Sequence, residues 1–189
     1  MIKMITDRDN EMIEWLCEFR IATSSQINQL FYKNMSICNK RLLKLHKDKI
    51  IGRSKDPYSK QYFYYIKKPK SILQLKHYYI RNEFYIKLVE IGCLIKKSRV
   101  ECKMGSIIPD LYVELIFNEV EYKFFVEVER SEQKINVKKY NKFFIDDFEE
   151  YIEEEIPVIY VTHKNIPNCN YKTFKVNEDI SDLHKIFNT

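Results

Sequence analysis

Three carboxylates and one lysine-studded helix hold most of the chemical potential of this chain. Asp110 follows Ile108-Pro109 and opens an apolar run, while Glu127 and Glu129 lie two residues apart in Phe124–Glu129. Residues two apart on a strand share a face, so Glu127 and Glu129 point one way and Phe124, Val126 and Val128 the other. Asp110 and Glu127, with Glu101 as a further donor, have the chemistry to hold Mg²⁺. Such an ion would polarise a phosphate and activate a water. In that reading Asp110, Glu127 and Glu129 are the catalytic candidates, and Asp110 and Glu127 the metal ligands. Glu129 brings like charge to the site, and Lys138 or Lys139 on the next helix is a candidate for the balancing cation. The plainer alternative is that the acids are surface residues beside Arg130 and the lysines an exposed helix face.

The second constellation is cationic. Cys38, Leu42 and Leu45 fall at i, i+4 and i+7, which makes one apolar stripe on a helix. At about 100° per residue, Ser36, Lys40, Lys44 and Lys47 point away from that stripe. A helix that buries one side and displays lysine on the other suits an anionic partner. Asn39 has the geometry to pair with adenine and Arg41 with guanine. Arg41 lies toward the flank and suits a phosphate or the protein itself equally well. Lys44, Lys47, Arg53, Lys55 and Lys60 are candidate phosphate contacts, and Tyr58 either packs on a sugar or fills its own turn.

These residues need positioning elements. Thr6 reads as the N-cap of a first helix, with Asp7 and Asp9 in its first turn, where the helix dipole favours acids. Thr23-Ser24-Ser25-Gln26 has the capping-box form and opens a second helix. Ser36 is the expected cap of a third, running to about Lys47. Strands near 50–53 and 61–66, joined by a turn with Asp56 and Pro57, follow as a hairpin. Helix, helix, hairpin is the order of a winged helix-turn-helix, which lays its recognition helix in the major groove. Lys67-Lys68-Pro69-Lys70 is the expected boundary, giving domains 1–70 and 71–189. Beyond it the spacing predicts a helix from Ile72 to Ile91 ended by Gly92. Leu75, Tyr79, Phe84, Leu88 and Ile91 are its apolar markers. Strands follow at Val100–Cys102, Leu111–Phe117 and Tyr122–Glu129, with a turn at Asn118-Glu119. A helix from Lys134 to Tyr151, a buried strand at Ile156–Val161 and a closing helix at Asp179–Phe187 complete the chain. The fold class is α+β: a winged helix-turn-helix, then an α/β domain in the order α-β-β-β-α-β.

That order resembles the core of the PD-(D/E)xK nucleases, with Asp110 and Glu127 at the positions of the acids. That pattern has Lys where Glu129 stands, so the resemblance implies a degenerate nuclease domain. The chain as a whole resembles the replication-relaxation family of plasmid and mobile-element proteins. The matching stretches are Thr6-Asp7-Arg8-Asp9, Ile21–Ile27, Lys40–Leu45 before Ile50-Ile51, Pro109-Asp110, Phe125–Arg130 and Lys138-Lys139-Tyr140, about residues 5–150. The resemblance implies a winged helix followed by a nuclease-like domain acting in replication, conjugation or their control.

Charge supports the division. Residues 1–70 hold 15 Lys+Arg against 7 Asp+Glu, a net of +8, and residues 71–189 hold 17 against 20, a net of −3. A basic part joined to a mildly acidic one suits double-stranded DNA as partner, with a homodimer or a plasmid replication, transfer or segregation protein as a second. The five cysteines form no CxxC, and the four histidines are scattered, which argues against zinc and against a disulfide framework. No cofactor is expected, apart from Mg²⁺ if the nuclease site is active. No stretch approaches the roughly 18 apolar residues of a membrane span, so a cytoplasmic protein is expected. Three functions stay open: a sequence-specific DNA-binding protein, a Mg²⁺-dependent DNA endonuclease or nickase, and a protein–protein interaction module.

Overall fold

The computed structural model describes residues 5–56, 61–69, 71, 74–151 and 156–187. The architecture is α+β, and the chain divides into two compact units, Met1–Ile86 and Lys87–Thr189.

The first unit is built on reciprocal caps. Thr6 Oγ1 accepts from Asp9 N at 3.3 Å and Asp9 Oδ2 accepts from Thr6 N at 2.8 Å, which starts α1 (Asp7–Phe19). Thr23 and Gln26 make the same exchange and start α2 (Ser24–Ile27), which a π-helical turn continues over Asn28–Tyr32. Each box satisfies N–H groups that a helix start otherwise leaves orphaned. Lys33 then adopts a left-handed φ of 56°, and Asn34 caps α3 (Met35–Lys47) by accepting from Ile37 N at 3.1 Å. The cap is therefore Asn34, not Ser36. The chain reverses at Lys33, so the first free N–H groups appear two residues earlier than the hydroxyl at Ser36 implies.

A hairpin follows. Lys49 has φ 58°, and the Ile50 N–H reaches back to Leu45 O at 3.0 Å, closing the end of α3. Ile50 and Ile51 are thereby spent on the helix end rather than on a strand. The strands are β2 (Gly52–Lys55) and β3 (Tyr62–Tyr65), shifted from 50–53 and 61–66. A two-residue strand, β1 (Ala22–Thr23), is too short to leave a sequence pattern. It pairs with β3, giving an antiparallel sheet in the order β1-β3-β2. Met12, Leu16, Ile27, Cys38, Leu42 and Tyr64 fill the core between helices and sheet. Burying each such aliphatic side chain contributes about 1.5–3 kcal/mol.

The helix expected to open the second part is α4 (Leu75–Glu90); residues 72 and 73 lie outside the described ones. Most of it belongs to the first unit. Asn82 Nδ2 donates to Ile21 O at 2.6 Å and to Phe19 O at 3.3 Å, and Arg81 donates to Phe19 O at 2.7 Å. Arg81 and Asn82 are fully buried. Gln26 Nε2 donates to Tyr79 O and to Glu83. The first unit thus extends past the Lys67–Lys70 boundary by most of a helix. Tyr79 and Ile91, expected apolar markers, are exposed. Gly92 does end the helix: its φ is 94°, its N–H reaches Val89 O, and the Cys93 N–H reaches Leu88 O. Only a residue without Cβ takes that conformation freely.

The second unit is one five-stranded sheet with helices. β4 (Leu94–Val100), β5 (Leu111–Phe117) and β6 (Val120–Val128) run antiparallel. β7 (Val158–Val161) and β8 (Thr173–Val176) run parallel to β6, in the order β4-β5-β6-β7-β8. Asn118 and Glu119, both at positive φ, make the tight turn between β5 and β6. The parallel step from β6 to β7 requires a crossover, supplied by α5 (Lys138–Asp146) and α6 (Phe148–Tyr151). Tyr140 and Phe143 of α5 pack on Tyr112, Phe125, Val158 and Tyr160. The strand expected at Val100–Cys102 lies earlier, because Glu101 at φ 49° breaks it. The crossover helix starts at Lys138 rather than Lys134, and the closing helix is a 3-10 turn at Leu183–Phe187. No helix among the described residues is long and apolar enough to cross a membrane.

Candidate functional site

The outer face of α3 carries the cations. Cys38, Leu42 and Leu45 are buried, while Ser36, Lys40, Lys44 and Lys47 are exposed. No ion pair with an acid of the described residues neutralises these lysines. Leu43, exposed at 39%, adds an apolar patch to the same face.

Arg41 is drawn away from that face. Its Nε donates to both oxygens of Asp9, at 2.9 and 3.1 Å, and a terminal nitrogen binds the same carboxylate. Tyr32 OH donates to Asp9 at 3.2 Å. Burial pushes the Asp9 carboxyl up, but the bonds from Arg41 and Thr6 outweigh it and hold Asp9 well below the usual carboxylate range. Arg41 thus ties α3 to the start of α1. Of the roles open to it, the contact with the protein is the one formed.

Arg53 behaves oppositely. Its guanidinium lies over the Tyr62 ring, 4.2 Å from the centroid, and Arg53 stands opposite Tyr64 across the β2–β3 pair. No acid of the described residues pairs with it. It faces an open cleft of about 460 Å³ lined by Ser24, Ser25, Asn39, Leu43, Arg53 and Tyr62, among others. Asn39 is half-buried there, and Lys55 is exposed farther along β2. Pro57, Tyr58 and Lys60 lie outside the described residues. Tyr62 and Tyr64 line the cleft beside Arg53 and are not among the site residues expected from the sequence. Their signal is the alternation in Tyr62–Tyr65, which puts residues 62 and 64 on one side.

In the second unit, Asp110 and Glu127 come together, and Lys139 joins them. Glu127 is 4% exposed. Its Oε1 accepts from Tyr140 OH at 2.6 Å, and its Oε2 lies 2.8 Å from Lys139 Nζ. Asp110 Oδ2 accepts from Val128 N at 2.7 Å, across the β5–β6 ladder. Burial and the neighbouring Asp110 push the Glu127 carboxyl up to about 7, against the opposing pull of Lys139 and Tyr140. Glu129 enters through its backbone: its N–H binds Val161 O at 3.1 Å, and its carbonyl accepts from Thr162 Oγ1 at 2.8 Å. Glu101 likewise meets Asp110 backbone to backbone, at 3.3 Å. Lys138 is exposed, so Lys139 alone of the two candidate lysines meets the acids.

The residues present do not fit the Mg²⁺ that a nuclease reading implies. Both Glu127 oxygens are engaged, one by a hydroxyl and one by an ammonium that already supplies the counter-charge. Among the described residues no three of His, Cys, Asp and Glu gather to hold a metal. What the cluster offers is a buried, hydrogen-bonded carboxyl whose proton affinity burial and Asp110 raise. No family model, curated protein or solved structure matches this chain.

Proposed function

We propose that this chain is a double-stranded DNA-binding protein of a plasmid or phage, acting in replication, conjugation, segregation or their transcriptional control. In this reading the first unit is a winged helix-turn-helix, with α3 as recognition helix and β2–β3 as wing. The observation that carries it is the exposed lysine stripe of α3, unneutralised by acids of the described residues, beside a hairpin bearing Arg53 and Lys55. A lysine face without internal acids gains most from a polyanion, since each phosphate contact releases condensed counterions. Lys44 and Lys47 then meet phosphate, while Ser36, Asn39 and Lys40 lie toward base edges. The resemblance to the replication-relaxation proteins supports the plasmid or phage setting. The second unit is read as a nuclease-like fold without robust activity, serving dimerisation or partner recruitment.

The test is fluorescence anisotropy of a labelled duplex titrated with the full chain over a range of salt. Binding that weakens steeply as salt rises is expected. No binding at low salt would remove the proposal. The endonuclease alternative has one observation in its favour, the approach of Lys139 to Glu127, which brings a cation to the acids.

A further inference from the structure

We propose that Arg53, stacked on Tyr62 and flanked by Tyr64, makes the cleft between α3 and the hairpin a seat for one phosphodiester of duplex DNA. The inference rests on the DNA-binding reading above and names where the backbone is gripped.

The two arginines of this region differ in what they face. Arg41 spends its guanidinium on a buried carboxylate. Arg53 has the Tyr62 ring beneath it and Tyr64 as its cross-strand neighbour, and no acid among the described residues. A guanidinium lying on an aromatic face keeps N–H groups free around its edge. Tyr62 is itself 42% exposed, so the pair stands at the cleft mouth and not in the core. An anion entering the cleft meets a planar fork of donors whose orientation is already fixed. Less side-chain entropy is lost there than on a free lysine.

The rest of the cleft has matching chemistry. The hydroxyls of Ser24 and Ser25 and the amide of Asn39 line it, with Leu43 as an apolar edge. Hydroxyl and amide groups bind phosphate and sugar oxygens, and Leu43 and Tyr62 suit the apolar flank of a deoxyribose. The outward lysines of α3 run on from the same helix, so a strand gripped at Arg53 has a cationic path beyond it. A duplex is favoured over an isolated phosphate because the cleft is open and its cationic surroundings extend along a helix.

The test compares Arg53→Ala, Arg53→Lys, Tyr62→Ala and Lys55→Ala in the full chain, by anisotropy with one labelled duplex and with its separated single strand. Circular dichroism melts verify that each variant is folded. Arg53→Ala is expected to weaken duplex binding about tenfold, as loss of a charge-assisted, preoriented contact does, and to lower the salt slope by about one. Arg53→Lys should keep the slope and lose most of the affinity. Tyr62→Ala, with Arg53 present, should also lose affinity at unchanged slope. Lys55→Ala should cost only about twofold to threefold. Arg53→Lys binding like the wild type would reduce Arg53 to a solvated charge and overturn the inference. So would Arg53→Ala no weaker than Lys55→Ala, or single strand bound as tightly as duplex. Failure of the wild type to bind any duplex would instead remove the DNA reading on which the seat depends.

Discussion

Glu127→Gln is the perturbation that most directly measures the buried cluster of the second unit. In the folded chain the Glu127 carboxyl is raised by burial and by Asp110 from 4.5 to about 7. In the unfolded chain it titrates near its ordinary value, about 4.3. Between those values the folded state holds a proton that the unfolded state has released. Stability therefore falls as pH rises through that interval and levels off above about 7. A tenfold difference in proton affinity corresponds to about 1.4 kcal/mol, so the decline is on the order of 3 kcal/mol. Gln keeps an oxygen for the Tyr140 hydroxyl and carries no charge, so this decline should vanish. The variant should match the wild type near pH ~4.5 and exceed it at pH ~8. The decline is already net of Lys139, whose pull opposes the rise. Asp9 does not confuse the result: its carboxyl is depressed, so its contribution is present above the ordinary carboxylate range and lost only at lower pH. The assay is the urea midpoint of both proteins from pH ~4.5 to ~8. A Gln variant that still declines with the wild-type slope, or that is less stable at every pH, would refute the reasoning.

Arg41→Ala strands the buried Asp9 carboxylate and should cost about 3 kcal/mol or more, read as a lowered urea midpoint. A loss of DNA specificity without a loss of stability would return Arg41 to the base-reading set. Gly52→Val drives a Cβ into the Tyr65 ring and should destabilise the hairpin by about 1–3 kcal/mol, visible as a lower melting temperature. Supercoiled plasmid with Mg²⁺ or Mn²⁺ should stay intact with the wild type and with Asp110→Ala. Nicking by the wild type that disappears in the variant would make the second unit a nuclease. A fragment ending at residue 70 should lack a cooperative melt by circular dichroism, whereas one ending at Glu90 should have one. Equal melts would show that α4 is dispensable to the first unit.

Local grammar is the legible part of the fold. Thr6, Thr23, the Asn118-Glu119 turn and Gly92 each act within a few residues of themselves, and each does what its sequence context implies. Expectation and structure part where a tertiary partner or a hidden backbone reversal decides. β4 carries Lys96, Lys97 and Arg99 on an edge of the sheet, with Leu94 exposed, so it shows no apolar alternation to read. The α3 cap moves because Lys33 turns left-handed, which its side chain does not advertise. At the candidate sites the residue types are legible and the pairings are not. Asp9 and Arg41 lie 32 residues apart in sequence. Glu127 and Lys139 meet only because Tyr140 and Phe143 seat α5 on the face of β6 that bears Glu127. A two-residue spacing tells which side of the strand Glu127 occupies, but not that the side is covered.

The grip of Arg81 and Asn82 on the carbonyls of Phe19 and Ile21 has a consequence for how the chain is born. The bonds span 61 to 63 residues, so their donors arrive long after their acceptors. While the polypeptide emerges from the ribosome, α1, α2, α3 and the hairpin are all synthesised before the residues that cap the α1–β1 corner. Until residue 82 is free, that corner keeps its carbonyls wet and Phe19 and Ile21 uncovered. The N-terminal unit therefore completes its folding while the second unit is already being made, rather than ahead of it. Slowing translation just after the Lys67–Lys70 stretch would prolong the open nascent state, and with it the interval in which chaperones or proteases can reach the α1–β1 corner.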